Sequence, residues 1–266
     1  MASFYDNQYS LKYMKKALIY TVVFAAIQLV AGGLVQGLWA VFAGKEAATS
    51  ATAMIVTMVV FSVATLAVFL CMKWAEVSRH WVRARPWTVL FWCVLAALGA
   101  IVPSAWLQEQ MPELPNWAEE GLDLIMKERM GYLTVGLLAP LAEELVFRGA
   151  ILRALLRWDA RPWVGIVISA VIFAVVHFNP AQAPHAFLIG LLLGWMYYRT
   201  DSIVPGVVYH WVNNTVAYVL YNFYPNPSLK LADLFGGNER AVLMAVGFSL
   251  CIFLPSLFQL NVRLRK

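Results

Sequence analysis

The stretch Leu138–Leu155, L-A-P-L-A-E-E-L-V-F-R-G-A-I-L-R-A-L, decides how the chain is read. It sets Glu143, Glu144 and Arg148 near the middle of a run otherwise apolar enough to cross a bilayer. Even insertion-based scales charge ~2.5–3.5 kcal/mol for one acidic or basic side chain at the centre of a spanning helix. Three such groups within six residues imply partners, enclosed water or both, and the remainder of the chain is expected to supply them.

Composition fixes the class. Of 266 residues, 61% are apolar and 13% charged, about half the charged share of an ordinary soluble domain. The sequence therefore predicts an all-α polytopic membrane protein, a single integral membrane domain over residues 1–266. The net charge of +5 does not argue for nucleic acid, because the basic residues sit at the ends of apolar runs rather than in one patch. Cys71, Cys93 and Cys251 all lie inside apolar runs and offer no disulfide framework or C-x-x-C pair, so they read as small packing residues. The first apolar run, from Ala17, is too long for a signal-peptide core and is expected to stay as a span.

About 20 apolar residues cross the ~30 Å hydrocarbon layer. Eight spans are expected: Ala17–Phe42, Ser50–Trp74, Trp87–Leu107, Gly131–Trp158, Pro162–Phe178, His185–Tyr198, Ile203–Tyr224 and Arg240–Leu260. With eight alternating spans and a cytoplasmic N-terminus, fourteen of the twenty Lys and Arg residues fall inside and five outside, Arg148 lying within a span. The positive-inside rule thus places both termini in the cytoplasm. The acidic loop from Gln108 to Met130 then faces out, as does the Pro- and Gly-punctuated loop Tyr224–Glu239. Trp74, Trp81, Trp87, Trp158, Trp163, Tyr197 and Tyr198 gather at the inner interface as an aromatic belt. Gly33-x-x-x-Gly37 and Gly190-x-x-x-Gly194 are read as helix-packing patterns.

Four histidines divide by context. His80 falls in a basic loop, and His185, beside Pro184 at a span boundary, reads as a solvated loop residue. His177 and His210 are embedded in spanning runs. Residues four apart share a helix face, so Glu144 can pair with Arg148, His210 sits above Asn214, and Phe173 sits above His177. Glu143 lies about 100° round the helix from Glu144 and is left without a local partner. At ~1.5 Å per residue, Glu143 is ~21 Å from Arg157, His177 ~22 Å from Pro162 and Asn214 ~16 Å from Ile203. Three helices thus bring polar groups to one level, and a polar intramembrane chamber is expected.

A carboxylate and a neutral imidazole can together take a proton from water. An imidazole and a carboxamide on one face can donate to a developing oxyanion. These are the parts of a hydrolase acting on an amide or ester. The same residues also suit helix-orienting polar pairs, or a proton relay in a transporter. An inverted repeat with broken spans, the mark of many transporters, is missing. Spacing alone leaves the three readings open.

At these residues the chain resembles the CAAX protease and bacteriocin-processing (CPBP, or Abi) family of intramembrane proteases. That family carries E-E-x-x-x-R, F-x-x-x-H and H-x-x-x-N in order on successive helices. Here they read Glu143-Glu144-Leu145-Val146-Phe147-Arg148, Phe173-Ala174-Val175-Val176-His177 and His210-Trp211-Val212-Asn213-Asn214. The motif-bearing core covers about residues 131–224. The resemblance implies an endopeptidase similar to type II CAAX prenyl endopeptidases, acting on a membrane-associated peptide or protein. It implies Glu143 and His177 as the water-activating pair and His210 and Asn214 as the oxyanion site. Glu144, Arg148 and Phe173 match positions of structural or electrostatic support. Asn213, a second asparagine, is expected to point elsewhere.

Glu143, His177 and His210 could in principle hold zinc with a water as fourth ligand, and the family is often labelled metalloprotease. Asn214 suits an oxyanion better than a zinc ion, so no metal or other cofactor is expected. The alternatives kept are a non-catalytic scaffold or immunity-type protein of the same fold and, less favoured, a proton-coupled transporter.

Overall fold

The structure, a computed structural model, describes residues 2–78, 86–224 and 229–264, with side chains from residue 11 onward. Arg79, His80, Trp81, Arg83 and Arg85 of the expected basic loop, residues 225–228 of the outer loop, and Arg265 and Lys266 lie outside the described residues.

Every regular element among the described residues is helical. Eight long helices follow the expected runs. They are α1 (Ala2–Ala43), α2 (Ala51–Cys71), α3 (Trp87–Glu109), α4 (residues 133–158), α5 (Pro162–Val175), α6 (Ala183–Thr200), α7 (Val204–Phe223) and α8 (Glu239–Arg263). Start signals are where the residues put them. Ser50 accepts from the Ala53 amide at the head of α2, and Asn238 accepts from the amides of Arg240 and Ala241 at the head of α8. Proline stands in the first turn of α5, α6 and α7, where its missing N–H costs nothing.

Among the described residues four helices are long and apolar enough to cross a membrane: Leu11–Ala43, Ala51–Cys71, Trp87–Glu109 and Glu239–Arg263. Their large apolar side chains stand exposed in rows, Leu18, Val22 and Leu29 on α1 and Met244, Phe248 and Phe258 on α8 among them. Rows of that kind belong against lipid rather than water. The remaining four expected spans fall short of that standard. α5 has 14 residues, ~21 Å of rise, and α4, α6 and α7 carry the polar groups of the site.

Two packed cores share α6. One joins α1, α2, α4, α5 and α6 through Phe24, Phe69, Phe147, Ile151, Leu152 and Phe173. The other joins α3, α6, α7 and α8 through Cys93, Ala97, Leu193, Met196, Tyr209 and Leu260. Small residues set the closest approaches. A Cβ on Gly190 would meet Ala170 Cβ at 2.9 Å, and one on Gly194 would meet Ile166 at 3.0 Å, so α6 lies hard against α5. Gly33 and Gly37 differ from expectation. A Cβ on either would meet nothing within 4 Å, and the pattern packs against nothing among the described residues.

Two connections carry structure that composition did not announce. The acidic loop contains a short helix, Glu119–Lys127, with two acidic residues in its first turn and a basic one in its last. Tyr221 and Lys127 both donate to Asp123, holding its carboxyl below the usual carboxylate range and fastening this helix to α7. Between α4 and α5, Asp159 accepts from the Arg161 amide at 2.7 Å and from its guanidinium at 2.9 Å, which pulls the carboxyl down to about 2.

Candidate active site

The motif helix α4 is not uniform. Two π-helical turns, Leu133–Leu138 and Phe147–Leu152, flank a regular α-helical piece, Ala139–Val146, that carries both glutamates. A π turn widens the helix and shifts every following side chain round the axis, and such turns recur at functional sites. Glu143 and Glu144 therefore sit on the narrow rung between two wide ones.

Adjacent in sequence, the glutamates have different surroundings. The side chain of Glu144 is 0% exposed and that of Arg148 1%. Arg148 Nη1 donates to Glu144 Oε1 at 2.8 Å, its Nη2 donates to the Gly190 carbonyl at 3.3 Å, and its guanidinium lies 4.5 Å over the Phe173 ring. A buried ion pair repays its desolvation only with such added contacts. The side chain of Glu143 keeps 17% exposure and takes no part in that pair.

His210 stands between them. Its Nδ1 is 3.2 Å from Glu144 Oε1, and its Nε2 is 3.8 Å from Glu143 Oε2. Since a carboxylate only accepts, Nδ1 carries the hydrogen given to Glu144, and Nε2 is the nitrogen turned to Glu143. The ring is also held edge-on to Phe173, 5.9 Å between centroids.

His177 lies where the sequence did not place it. α5 stops at Val175, and Phe178 takes a left-handed conformation (φ 48°), so His177 sits in the turn beyond the helix. Its Nδ1 donates to the Phe173 carbonyl at 2.7 Å, satisfying one of the orphan carbonyls at a helix end. The F-x-x-x-H spacing is thus a capping contact, completed by an edge-to-face ring contact at 4.8 Å. With the hydrogen on Nδ1, Nε2 keeps its lone pair and can accept a proton.

Asn214 donates from Nδ2 to the Val135 carbonyl at 2.9 Å, within the first π turn of α4. Asn213 does not point elsewhere: its amide donates to Asn214 Oδ1 at 3.2 Å and orients that carboxamide. One cavity of about 230 Å³ adjoins Glu143 and His177, closed on its far side by Phe24, Gln28, Met58 and Ser62 from α1 and α2. His210 reaches it through Glu143.

Two contributors escaped the sequence reading. Asn179, 2% exposed, donates to Asn116 Oδ1 at 2.8 Å and accepts from the Trp117 amide at 3.1 Å. It ties the turn bearing His177 to the segment before helix Glu119–Lys127. Non-helical backbone at membrane depth needs such protein partners. His185, expected in a solvated loop, occupies the first turn of α6 and is partly buried there. The Asn179-Pro180 pair was the available signal, since a residue before proline leaves the helical region.

As a zinc site the arrangement fails. Among the described residues no three His, Cys, Asp or Glu side chains are grouped to hold a metal ion. Glu143, His177 and His210 therefore do not supply the three converging ligands that catalytic zinc takes.

Fold and site together define a helical integral membrane protein in which Glu143 and His177 line one cavity and His210 stands beside Glu143. Residues 127–216, which include all three motifs, match the Rce1-like family, described as type II CAAX prenyl endopeptidase Rce1-like. The match spans about a third of the chain and is consistent with the resemblance to the CPBP intramembrane proteases. No curated protein and no solved structure matches the chain.

Proposed function

We propose that the chain is an intramembrane endopeptidase that hydrolyses a peptide bond of a membrane-associated substrate without a metal. The observation that carries this reading is that Glu143 and His177 line one cavity while His210 Nε2 lies 3.8 Å from the Glu143 carboxylate. Glu143 and His177 Nε2 are the two bases that face a water there. The water's oxygen attacks the scissile carbonyl carbon as its proton passes to this pair, giving a tetrahedral oxyanion. His210 donates to that oxyanion from Nε2, helped by the second Nδ2 hydrogen of Asn214. A ring whose Nδ1 hydrogen is given to Glu144 can donate from Nε2 only as the imidazolium, and Glu143 and Glu144 are the carboxylates facing that cation. Collapse of the intermediate breaks the C–N bond, and the abstracted proton leaves on the new amine.

In this reading the eight long helices all span, exposed apolar side chains such as Leu137 on α4 and Val171 on α5 facing lipid, and both termini are cytoplasmic. The lysine and arginine asymmetry supports that orientation. Phe173 backs the site, touching Arg148, His177 and His210 at once. The test is cleavage of a fluorescence-quenched peptide ending in S-farnesylcysteine and three further residues, by the purified protein in proteoliposomes. Cleavage by the wild type and none by His177→Ala is expected. Equal cleavage by both would overturn the assignment of the base pair.

A further inference from the structure

The cavity has two unlike walls. Ala139, Glu143, Val176 and His177 form the one that carries the chemistry, and all four lie within the residues matching the family. Phe24, Gln28, Thr57, Met58, Phe61 and Ser62 form the other, and all six lie outside that match. On this second wall two polar atoms are sealed from solvent with no hydrogen-bond partner: Gln28 Oε1 and Ser62 Oγ. Ser62 is 1% exposed. Thr57, by contrast, spends its hydroxyl on the Ala53 carbonyl at 2.8 Å and asks for nothing.

A buried polar atom without a partner is destabilising, and native chains retain few of them without a reason. Two of them, one from α1 and one from α2, on the wall of the cavity that Glu143 also lines, are accounted for by a bound group that completes them. That group must bring both a donor for Gln28 Oε1 and an acceptor for the Ser62 hydroxyl. A hydrocarbon or isoprenoid chain brings neither. A peptide unit brings one N–H and one C=O. The volume, about 230 Å³, lies below the ~300 Å³ at which pockets for whole drug-sized molecules begin, and so suits a short piece of extended chain.

We propose that Gln28 and Ser62 form a main-chain subsite. Gln28 Oε1 accepts the N–H, and the Ser62 hydroxyl donates to the C=O, of a substrate peptide unit beside the scissile bond. This rests on the protease reading and adds to it where substrate is selected. The catalytic wall comes from α4 and the turn after α5, whereas the recognition wall comes from α1 and α2. The apolar neighbours Phe24, Met58 and Phe61 then contact the substrate side chain next to that unit. Gln28 and Ser62 are positioning residues and take no part in proton transfer.

The experiment compares wild type, Gln28→Leu and Ser62→Ala, purified at full length in proteoliposomes, on the farnesylated quenched peptide and on versions N-methylated at each amide in turn. Each variant should raise KM about fivefold to tenfold, the worth of one hydrogen bond, with kcat within twofold. One N-methylated peptide should be poor for wild type yet no poorer for Gln28→Leu than its parent. Thermal stability should hold or rise in both variants, since an unsatisfied polar atom is removed. A residue needed only for folding would lower it. Unchanged KM in both variants, or Gln28→Leu as sensitive as wild type to every N-methylation, would overturn the subsite. Binding of the same peptides is followed by fluorescence anisotropy. Binding that depends on Gln28 and Ser62 without any cleavage would keep the subsite and sink the protease reading. Cleavage indifferent to both residues would do the reverse.

Discussion

His210 Nδ1 lies 3.2 Å from Oε1 of Glu144, a carboxylate already committed to Arg148 at 2.8 Å. One buried carboxylate oxygen thus anchors both a guanidinium and an imidazole, and the tandem glutamates divide their work. Glu144 fixes the ring, and Glu143 meets the cavity. Arg148→Ala would leave the buried Glu144 charge with the His210 ring alone, and breaking a buried pair in this way typically costs about 3–5 kcal/mol. A marked fall in the detergent melting temperature is expected, with loss of cleavage. An unchanged melting temperature would show that the pair does not hold α4 to α6.

His210→Ala removes the donor nearest Glu143 and leaves the water-activating pair in place. Turnover should fall roughly 10²–10³-fold, as for other lost oxyanion donors, with KM little altered. Steady-state kinetics on the quenched peptide decide it. A rise in KM at constant kcat would make His210 a substrate-binding residue instead.

Glycine positions separate site from scaffold. A Cβ on Gly206 would meet Glu144 Oε2 at 2.7 Å, displacing the carboxylate that orients His210. Gly206→Ala should therefore lower kcat more than stability. A Cβ on Gly190 would come within 2.9 Å of Ala170 Cβ and 3.0 Å of its Cα, forcing α5 and α6 apart. Gly190→Ala should lower stability by about 1–3 kcal/mol, the usual range for overpacking. Paired melting and activity measurements on both variants test the contrast, and equal effects would contradict it.

Much of this was legible because charge in lipid is conspicuous. Glu143, Glu144, Arg148 and His210 stand out against apolar neighbours, and the i, i+4 spacing foretold the Glu144–Arg148 pair that the structure contains. The end of α5 was not read, because hydropathy runs on through Val176. The chain turns there for a local reason, the Asn179-Pro180 pair, which apolarity masks. The π turns flanking Ala139–Val146 have no composition signature. Gln28 and Ser62 carry no signal in the sequence, since being unpartnered is visible only in three dimensions. The packing role expected of Gly33 and Gly37 failed for the same reason, because the pattern permits close approach without supplying a neighbour.

Strict chelation gives a further prediction. With no three-ligand group among the described residues, cleavage should persist after prolonged treatment with a strong chelator and after dialysis. Activity lost on chelation and restored by zinc but not magnesium would contradict a metal-free site.

The most direct measurement is cleavage of the farnesylated quenched peptide by purified, reconstituted Glu143→Gln beside wild type. Glu143 carries no ion pair with Arg148 and its contact with His210 is long, at 3.8 Å, so the variant should fold and melt close to the wild type. The account predicts cleavage by the wild type and none by Glu143→Gln at matched protein. Cleavage retained by Glu143→Gln would contradict it.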